Sequence, residues 1–124
     1  MYLRENAITL LESVSGVDVN TTTKQTLFTV PVGKVAIITH IIVRNASVNL
    51  NTANGGFGFD AGGSDVVAHE AYAELDGATK VKVFKADKGS VRGAAADILG
   101  SKCTTAQGAA ATVDIDVFGY LFDA

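Results

Sequence analysis

Residues 27–45 read LFTVPVGKVAIITHIIVRN, a long apolar stretch that is rich in β-branched residues. Seven of the ten residues from Val35 to Arg44 are valine, isoleucine or threonine, which crowd a helical turn and suit a pleated sheet. Both sets of alternate positions are largely apolar, so we predict a central strand covered on both faces for most of its length. Pro31 and Gly33 place a turn before this strand. If the strand alternates without interruption, one of its faces carries Val35, Ile37, Thr39, Ile41 and Val43.

Two further segments alternate in the way that strands do. The closing segment Thr112–Phe122 has Val113, Ile115, Val117, Gly119 and Leu121 on one face. Residues 79–86 (TKVKVFKA) predict a strand in which Lys80 and Lys82 form a solvated face opposite Val81 and Val83.

Glycine-rich and asparagine-rich turns separate these segments from the others. Ser64 is a suitable N-cap and Gly77 a suitable end for one short helix over Asp65–Leu75. With about eight short strands and at most this one helix, the chain is predicted to be all-β. Strands of this number and length are expected to pack as a single-domain β-sandwich, with a jelly-roll topology favoured over an immunoglobulin-like one.

The 124 residues are enough for one domain with its own core. We predict an N-terminal arm at residues 1–16 and the β-sandwich domain at 17–124, because Met1–Asn6 has few apolar residues to pack and such arms often lie on a neighbouring subunit. No run of residues has the pattern of a signal peptide or the length of a transmembrane helix.

The net charge limits the expected partners, and the single cysteine limits the covalent cross-links. The net charge is −3, so the chain has no overall field that would attract nucleic acid or an anionic membrane, and neither is expected as a partner. Cys103 is the one cysteine, so the chain can form no internal disulfide. We expect its thiol to be a small buried hydrophobic group.

The residues that could carry chemistry lack the partners that chemistry needs. The loop FDAGGSD (59–65) offers Asp60 and Asp65 to a cation, but calcium requires six to eight oxygens, so a structural turn is expected. His40 and His69 lack the further ligands of a zinc site. Cys103 has no histidine near it in sequence, and no serine stands in a GxSxG motif. We therefore predict no catalytic residue, no cofactor-binding residue, no metal ligand and no enzyme activity.

An aromatic stripe on the closing strand is the strongest functional signal. Phe118, Tyr120 and Phe122 share the face of that strand that begins with two aspartates. A monomer would leave this stripe partly in water, which is unusual for a soluble protein. Together with the doubly apolar central strand, the stripe indicates an assembly protein. The predicted interface residues are Met1, Tyr2 and Leu3 of the arm and Phe118, Tyr120 and Phe122 of the stripe.

Three sequence motifs carry a resemblance to a known group of proteins. They are LFTVPVGKVAIITHIIVRN, GGFGFDAG and ATVDIDVFGYLF. From Thr26 onward the chain resembles small structural proteins of tailed bacteriophage virions, in which a "tVPaGk" turn precedes a strand ending in "RN" and the chain closes on an alternating strand with "GYL".

That resemblance implies a jelly roll or related sandwich that forms a homo-oligomer on the virion, commonly a trimer, without enzymatic activity. Its location would be the virion, assembled in the bacterial host cytoplasm, and its partners the major capsid protein or other virion proteins. A capsid decoration (cement) protein fits best, because the chain is short and lacks the repetitive stalk of a fibre. Two alternatives stay open. One is a tail, fibre or baseplate component with a host-surface or glycan-binding role, for which residues 45–54 would be the site. The other is a small cupin-like enzyme, for which two histidines are too few.

Overall fold

The computed structural model describes residues 8–88 and 91–124, which form nine strands and no helix. No helix of this part of the chain is therefore available to cross a membrane. The strands are β1 (Thr9–Asp18), β2 (Gln25–Thr29), β3 (Lys34–Arg44), β4 (Asn54–Gly58), β5 (Val67–Ala71), β6 (Val81–Lys85), β7 (Arg92–Gly93), β8 (Ile98–Thr105) and β9 (Thr112–Asp123).

Two antiparallel sheets make up the sandwich. Sheet A has the order β1-β9-β3-β6, with the short β7 also paired to β3, and sheet B has the order β2-β8-β4-β5. The pairs β1–β9, β2–β8, β3–β6 and β4–β5 together make one long antiparallel ribbon. Wrapping this ribbon around itself adds the pairs β3–β9 and β4–β8, which is the topology of a jelly roll. The predicted β-sandwich is confirmed.

The core lies between the inner faces of the two sheets. Phe84 of sheet A meets Phe57 of sheet B edge to face, with 5.1 Å between ring centroids, and meets Tyr72 in the same way at 5.6 Å. The central strand β3 and the closing strand β9 supply most of the aliphatic part of the core on the sheet A side. Each strand lies in the core with its inner face, and the outward residues of both strands around the aromatic stripe are half-buried.

A β-bulge at Thr39 changes which residues of β3 face the core. The register with β9 shifts between Ile38, opposite Gly119, and His40, opposite Phe118. The extra residue reverses the parity, so the prediction that Ile37 and Ile41 share a face was wrong. The buried residues of β3 are Ala36, Ile38, Ile41 and Val43.

The helix predicted over Asp65–Leu75 is not formed. Val67–Ala71 is instead β5, which pairs with β4 at the edge of sheet B. The Tyr72 amide donates to the Ala53 carbonyl oxygen at 3.0 Å, and the tyrosine ring and Leu75 are buried in the core. Pairing with β4 satisfies the backbone hydrogen bonds of this segment, and the core takes up its large side chains. Tertiary structure therefore overrides the helix-forming tendency of its alanine and glutamate residues.

Within β6 the two faces are the reverse of those predicted, although Lys80, just before the strand, is exposed as expected. Val81 and Val83 are 57% and 55% exposed, whereas only 10% of the Lys82 side chain is accessible. Lys82 points toward the open edge of the sandwich, where its Nζ lies 2.7 Å from Glu74 Oε1 and 5.1 Å from the centroid of the Phe84 ring. Alternation shows that two sets of residues face apart, but it does not show which set faces the core.

This placement predicts different roles for two nearby lysines. We expect Lys82→Ala to lower the free energy of unfolding by about 1 kcal/mol, since it removes an ion pair and a cation–π contact. Lys80→Ala, at an exposed position of the same segment, should leave the stability unchanged. Urea denaturation of the two variants measures the difference, and equal effects would contradict the inward orientation of Lys82.

β1 crosses the boundary that the sequence suggested between arm and domain. Thr9–Asp18 pairs with β9 from Thr9 opposite Gly119 to Asp18 opposite Thr112, so this part of residues 1–16 belongs to sheet A. Residues 1–7 lie outside the described residues, and an arm there stays a prediction. β1 is an edge strand, and its register shifts twice along its length.

Candidate functional site

The outward side of sheet A carries a continuous apolar surface, here called the A face. Across the strands, Phe118 lies between Leu10 and His40, and Tyr120 lies beside Ile37. Phe122 is opposite Val35 at the end of the sheet. The apolar and aromatic residues of the A face are Leu10, Val35, Ile37, His40, Ile42, Val81, Val83, Phe118, Tyr120 and Phe122.

Two stacked pairs of aromatic rings lie along the middle of the A face. The His40 and Phe118 rings stack with 4.8 Å between centroids and 9° between planes. Tyr120 and Phe122 stack at 5.9 Å and 26°. All four rings are half-buried, and Leu10 beside them is 51% exposed. A single subunit therefore holds these rings in fixed positions while leaving them partly in water, which is typical of an interaction surface.

The outward side of sheet B is built differently. Glycines line it at Gly58 and Gly100, and the chain covers both. The Lys24 side chain lies against Gly100, and its Nζ donates to the carbonyl oxygens of Asp60 at 2.8 Å and Ile98 at 3.2 Å. Sheet B thus covers its own outward side with side chains and loops, whereas the A face leaves large apolar groups uncovered.

A polar network occupies the other end of the A face. Arg44 Nε lies 2.8 Å from Asp116 Oδ2, and Arg44 Nη1 lies 3.6 Å from Asp114 Oδ2. Ser13 Oγ donates to Asp116 Oδ1 at 2.6 Å, and Asn45 Nδ2 donates to Asp114 Oδ2 at 3.0 Å. These contacts tie β1, β9 and β3 together at the point where the aromatic stripe ends.

The same contacts lower the pKa of both carboxyl groups. For Asp114 the main cause is the hydrogen bond from Asn45, followed by the one from the Gly16 amide. For Asp116 the main cause is the hydrogen bond from Arg44. Both groups therefore favour the charged form more strongly in the folded chain than in the unfolded one.

This shift predicts an acid-sensitive contribution to stability. Where a folded-state pKa is depressed, the unfolded state binds more protons, so stability rises with pH through that window. The contribution of Asp116 should be complete above about pH 4, the unfolded pKa of aspartate, and be lost as the pH falls through its lower folded pKa. Melting temperatures measured from pH 6 to pH 2 should fall less steeply for Asp116→Asn than for the natural chain. Parallel curves would show that this carboxylate does not contribute.

The structure describes half of the predicted interface residues. Phe118, Tyr120 and Phe122 lie together on the A face, while Met1, Tyr2 and Leu3 lie outside the described residues. Sequence reasoning did not assign Leu10, Val81 or Val83 to this surface. A signal for them existed in the apolar outer positions of β3, because the strands beside a doubly apolar strand must continue the same surface.

Asp60, Asp65 and Cys103 have structural roles, whereas His69 Nε2 is buried and has no hydrogen-bond partner among the described residues. In the loop 59–65, Asp65 Oδ1 accepts a hydrogen bond from the Phe59 amide at 2.7 Å, and Asp60 Oδ1 accepts one from the Ser64 amide at 3.2 Å. Cys103 is buried as expected, and burial raises the pKa of its thiol to about 11. Across residues 8–88 and 91–124 no three potential ligand side chains converge on a metal position.

Neither the loop 45–54 nor the cavity beside β5 is built as a ligand site. Gln107, from the loop between β8 and β9, contacts the inner side of the loop 45–54. Its Oε1 accepts a hydrogen bond from the Ala53 amide at 2.9 Å, and its Nε2 donates one to Asn51 Oδ1 at 2.8 Å. A cavity of about 220 Å³ opens between β5 and β6, beside Glu70, Lys85 and Asp87. That volume is below the roughly 300 Å³ at which small-molecule sites begin.

Comparison with solved structures gives a likeness in fold. No family model matches the chain, and no curated protein sequence matches it. A chain of the structure titled "Cyanophage Pam1 capsid asymmetric unit" superposes with a TM-score of 0.54 and 13% sequence identity. The match covers 93% of this chain and 85% of the other, so the two share the whole fold.

Proposed function

We propose that this chain is a non-enzymatic structural protein of a tailed bacteriophage virion, of the capsid decoration (cement) type. In this role it binds and stabilises the head lattice as a homo-oligomer. The copy number that the sequence resemblance implies is three. The major capsid protein is the proposed partner, and the phage particle, assembled in the host cytoplasm, is the proposed location.

The observation that carries the proposal is the A face on a jelly roll. A stripe of ordered, half-buried rings continues into exposed aliphatic residues on both neighbouring strands. Such a surface supports association with protein rather than with a small ligand. The shared fold with a chain of a cyanophage capsid structure and the three phage-like motifs support placing that association on a virion.

The same observations weigh against the glycan-binding alternative. Sugar sites need exposed aromatic rings beside polar loop groups, yet residues 45–54 contain no aromatic residue. Leu50 and Ala53 of this loop are buried in the core, and Gln107 engages its amide and carbonyl groups. The loop is therefore a packed connection between the two sheets.

Co-sedimentation with phage heads that lack this chain tests the role. The purified chain should bind such heads at saturable sites and raise the temperature at which they release DNA. Tyr120→Ala and deletion of residues 1–6 should each weaken binding at least tenfold while the subunit stays folded, and Tyr120→Phe, which keeps the ring, is the matched control. Heads that neither bind nor gain stability from the natural chain would refute the decoration role.

A further inference from the structure

Charges on the A face are separated along one diagonal, apart from Arg44, which lies among the carboxylates and pairs with them. Arg92 lies opposite Ile37 and Lys85 lies opposite His40, so both cations are on the β6 and β7 side near the aromatic end. Asp116 and Asp114 lie on β9 at the other end, with β1 beyond them. The cationic corner and the carboxylate corner are therefore at opposite ends of this diagonal.

An apolar band follows the other diagonal. It begins on the β1 side with Leu10 and Tyr120, crosses the stacked rings of His40 and Phe118, and ends on β6. Val83, at the β6 end, is 55% exposed. The band thus divides the A face into halves of opposite charge.

We propose that a second copy of this chain covers the A face, related by a two-fold axis that lies in the interface along the apolar band. This inference rests on the homo-oligomer of the proposed function and assigns its interface a two-fold axis, so that two copies replace the three that the sequence resemblance implies. Rotation about such an axis places the band on the partner's band. It also brings Lys85 and Arg92 over the carboxylate corner around the partner's Asp116.

The other in-plane axes give poorer contacts. An axis parallel to the strands would press Arg92 and Lys85 against the β1 side, where Leu10 is exposed. An axis perpendicular to the strands would place the two cations of one copy on the partner's β6, where Val81 and Val83 are exposed. Both would desolvate cations against apolar groups without a counter-charge, which is costly. The diagonal axis crosses the strands of the two copies at a large angle, closer to the orthogonal than to the aligned packing of sheets.

The size of the A face suits a pair. Four strands spaced about 4.8 Å apart and about eight residues long give roughly 500 Å² per copy, with both charged corners included. Two copies would bury roughly 1,000 Å², the lower bound of a specific protein interface. Arg44 offsets one of the carboxylates at its corner, so the expected affinity comes mainly from the apolar band and the charges mainly set its orientation.

Charge reversal tests the orientation. Sedimentation velocity of the natural chain should show a concentration-dependent dimer. Lys85→Glu with Arg92→Glu should weaken that dimer at least tenfold, because like charges then meet at both corners. Lys80→Glu with Lys88→Glu changes the net charge equally at exposed sites outside the A face and should leave it intact. A chain that is monomeric or trimeric at every concentration would overturn the proposal, as would equal effects of the two double variants.

Cross-linking tests the position of the axis. Val83 lies on the proposed axis and would meet the partner's Val83, so Val83→Cys should form a disulfide-linked dimer under mild oxidation. Val32→Cys, at a more exposed valine in the turn before β3, should not. Cys103 is buried and does not interfere. Equal cross-linking of both variants, or of neither, would overturn the axis. A monomer that still binds phage heads would refute only this pairing, whereas a dimer that binds no heads would refute only the decoration role.

Discussion

Ile41→Ala is expected to lower the free energy of unfolding by about 2–5 kcal/mol, the range for emptying a buried aliphatic site. Ile41 is fully buried between the two sheets, on the inner side of β3 after the bulge. Its removal leaves a cavity beside Val117, its partner on β9, which is equally buried. Urea denaturation monitored by circular dichroism measures the loss.

Ile42→Ala is the matched control for this prediction. The same side chain is removed one residue further along, where it is half-buried on the A face. We expect a clearly smaller loss, because less apolar area leaves water when the subunit folds. If Ile42→Ala cost as much as Ile41→Ala at subunit concentrations where the chain is monomeric, the bulge at Thr39 would be misplaced.

Gly119→Ala is expected to destabilise the chain more than an ordinary overpacked side chain does, beyond the usual range of about 1–3 kcal/mol. A Cβ atom added at Gly119 would clash with the Ile37 carbonyl oxygen and lie 3.1 Å from the Ile38 Cα. These are backbone atoms of β3, so no rotamer change relieves the clash. β3 and β9 would have to separate at the centre of sheet A.

Gly77→Ala is the control for Gly119→Ala. No atom lies within 4 Å of a Cβ added at Gly77, and its φ is not in the left-handed region. Alanine there restricts the unfolded chain and should be neutral or stabilising by up to about 1 kcal/mol. Thermal unfolding of both variants compares them. A Gly119→Ala chain with natural stability would show that the two central strands are not in this close contact.

Much of the fold could be predicted from the spacing of apolar residues. β3 and β9 were recognised with ends within one residue of those observed, because runs of β-branched residues have few other stable conformations. The jelly roll followed from many short strands with turns between them. The aromatic stripe was found because Phe118, Tyr120 and Phe122 alternate regularly: the extra residue of the bulge lies on β3 and leaves the alternation of β9 unchanged.

The errors share a physical origin in contacts between distant residues. The bulge at Thr39 depends on the closeness of Gly119, which lies far away in sequence. The strand at Val67–Ala71 depends on pairing with β4, and the inward position of Lys82 depends on Glu74 and the Phe84 ring. Local patterns carry no information about such partners. The diagonal separation of charge on the A face was equally invisible, because it joins residues of β6, β7 and β9.

The edges of the two sheets have a consequence for how the protein can aggregate. Register shifts interrupt β1 and β2 against their neighbours, and β6 directs the charged Lys82 into the open edge. Irregular, charged edges are poor templates for another strand, so growth by edge-to-edge pairing, which has no natural end, is disfavoured. Contact through one face about a two-fold axis closes after two copies. A concentrated stock of this protein should therefore stay free of thioflavin-positive fibrils even while its subunits associate.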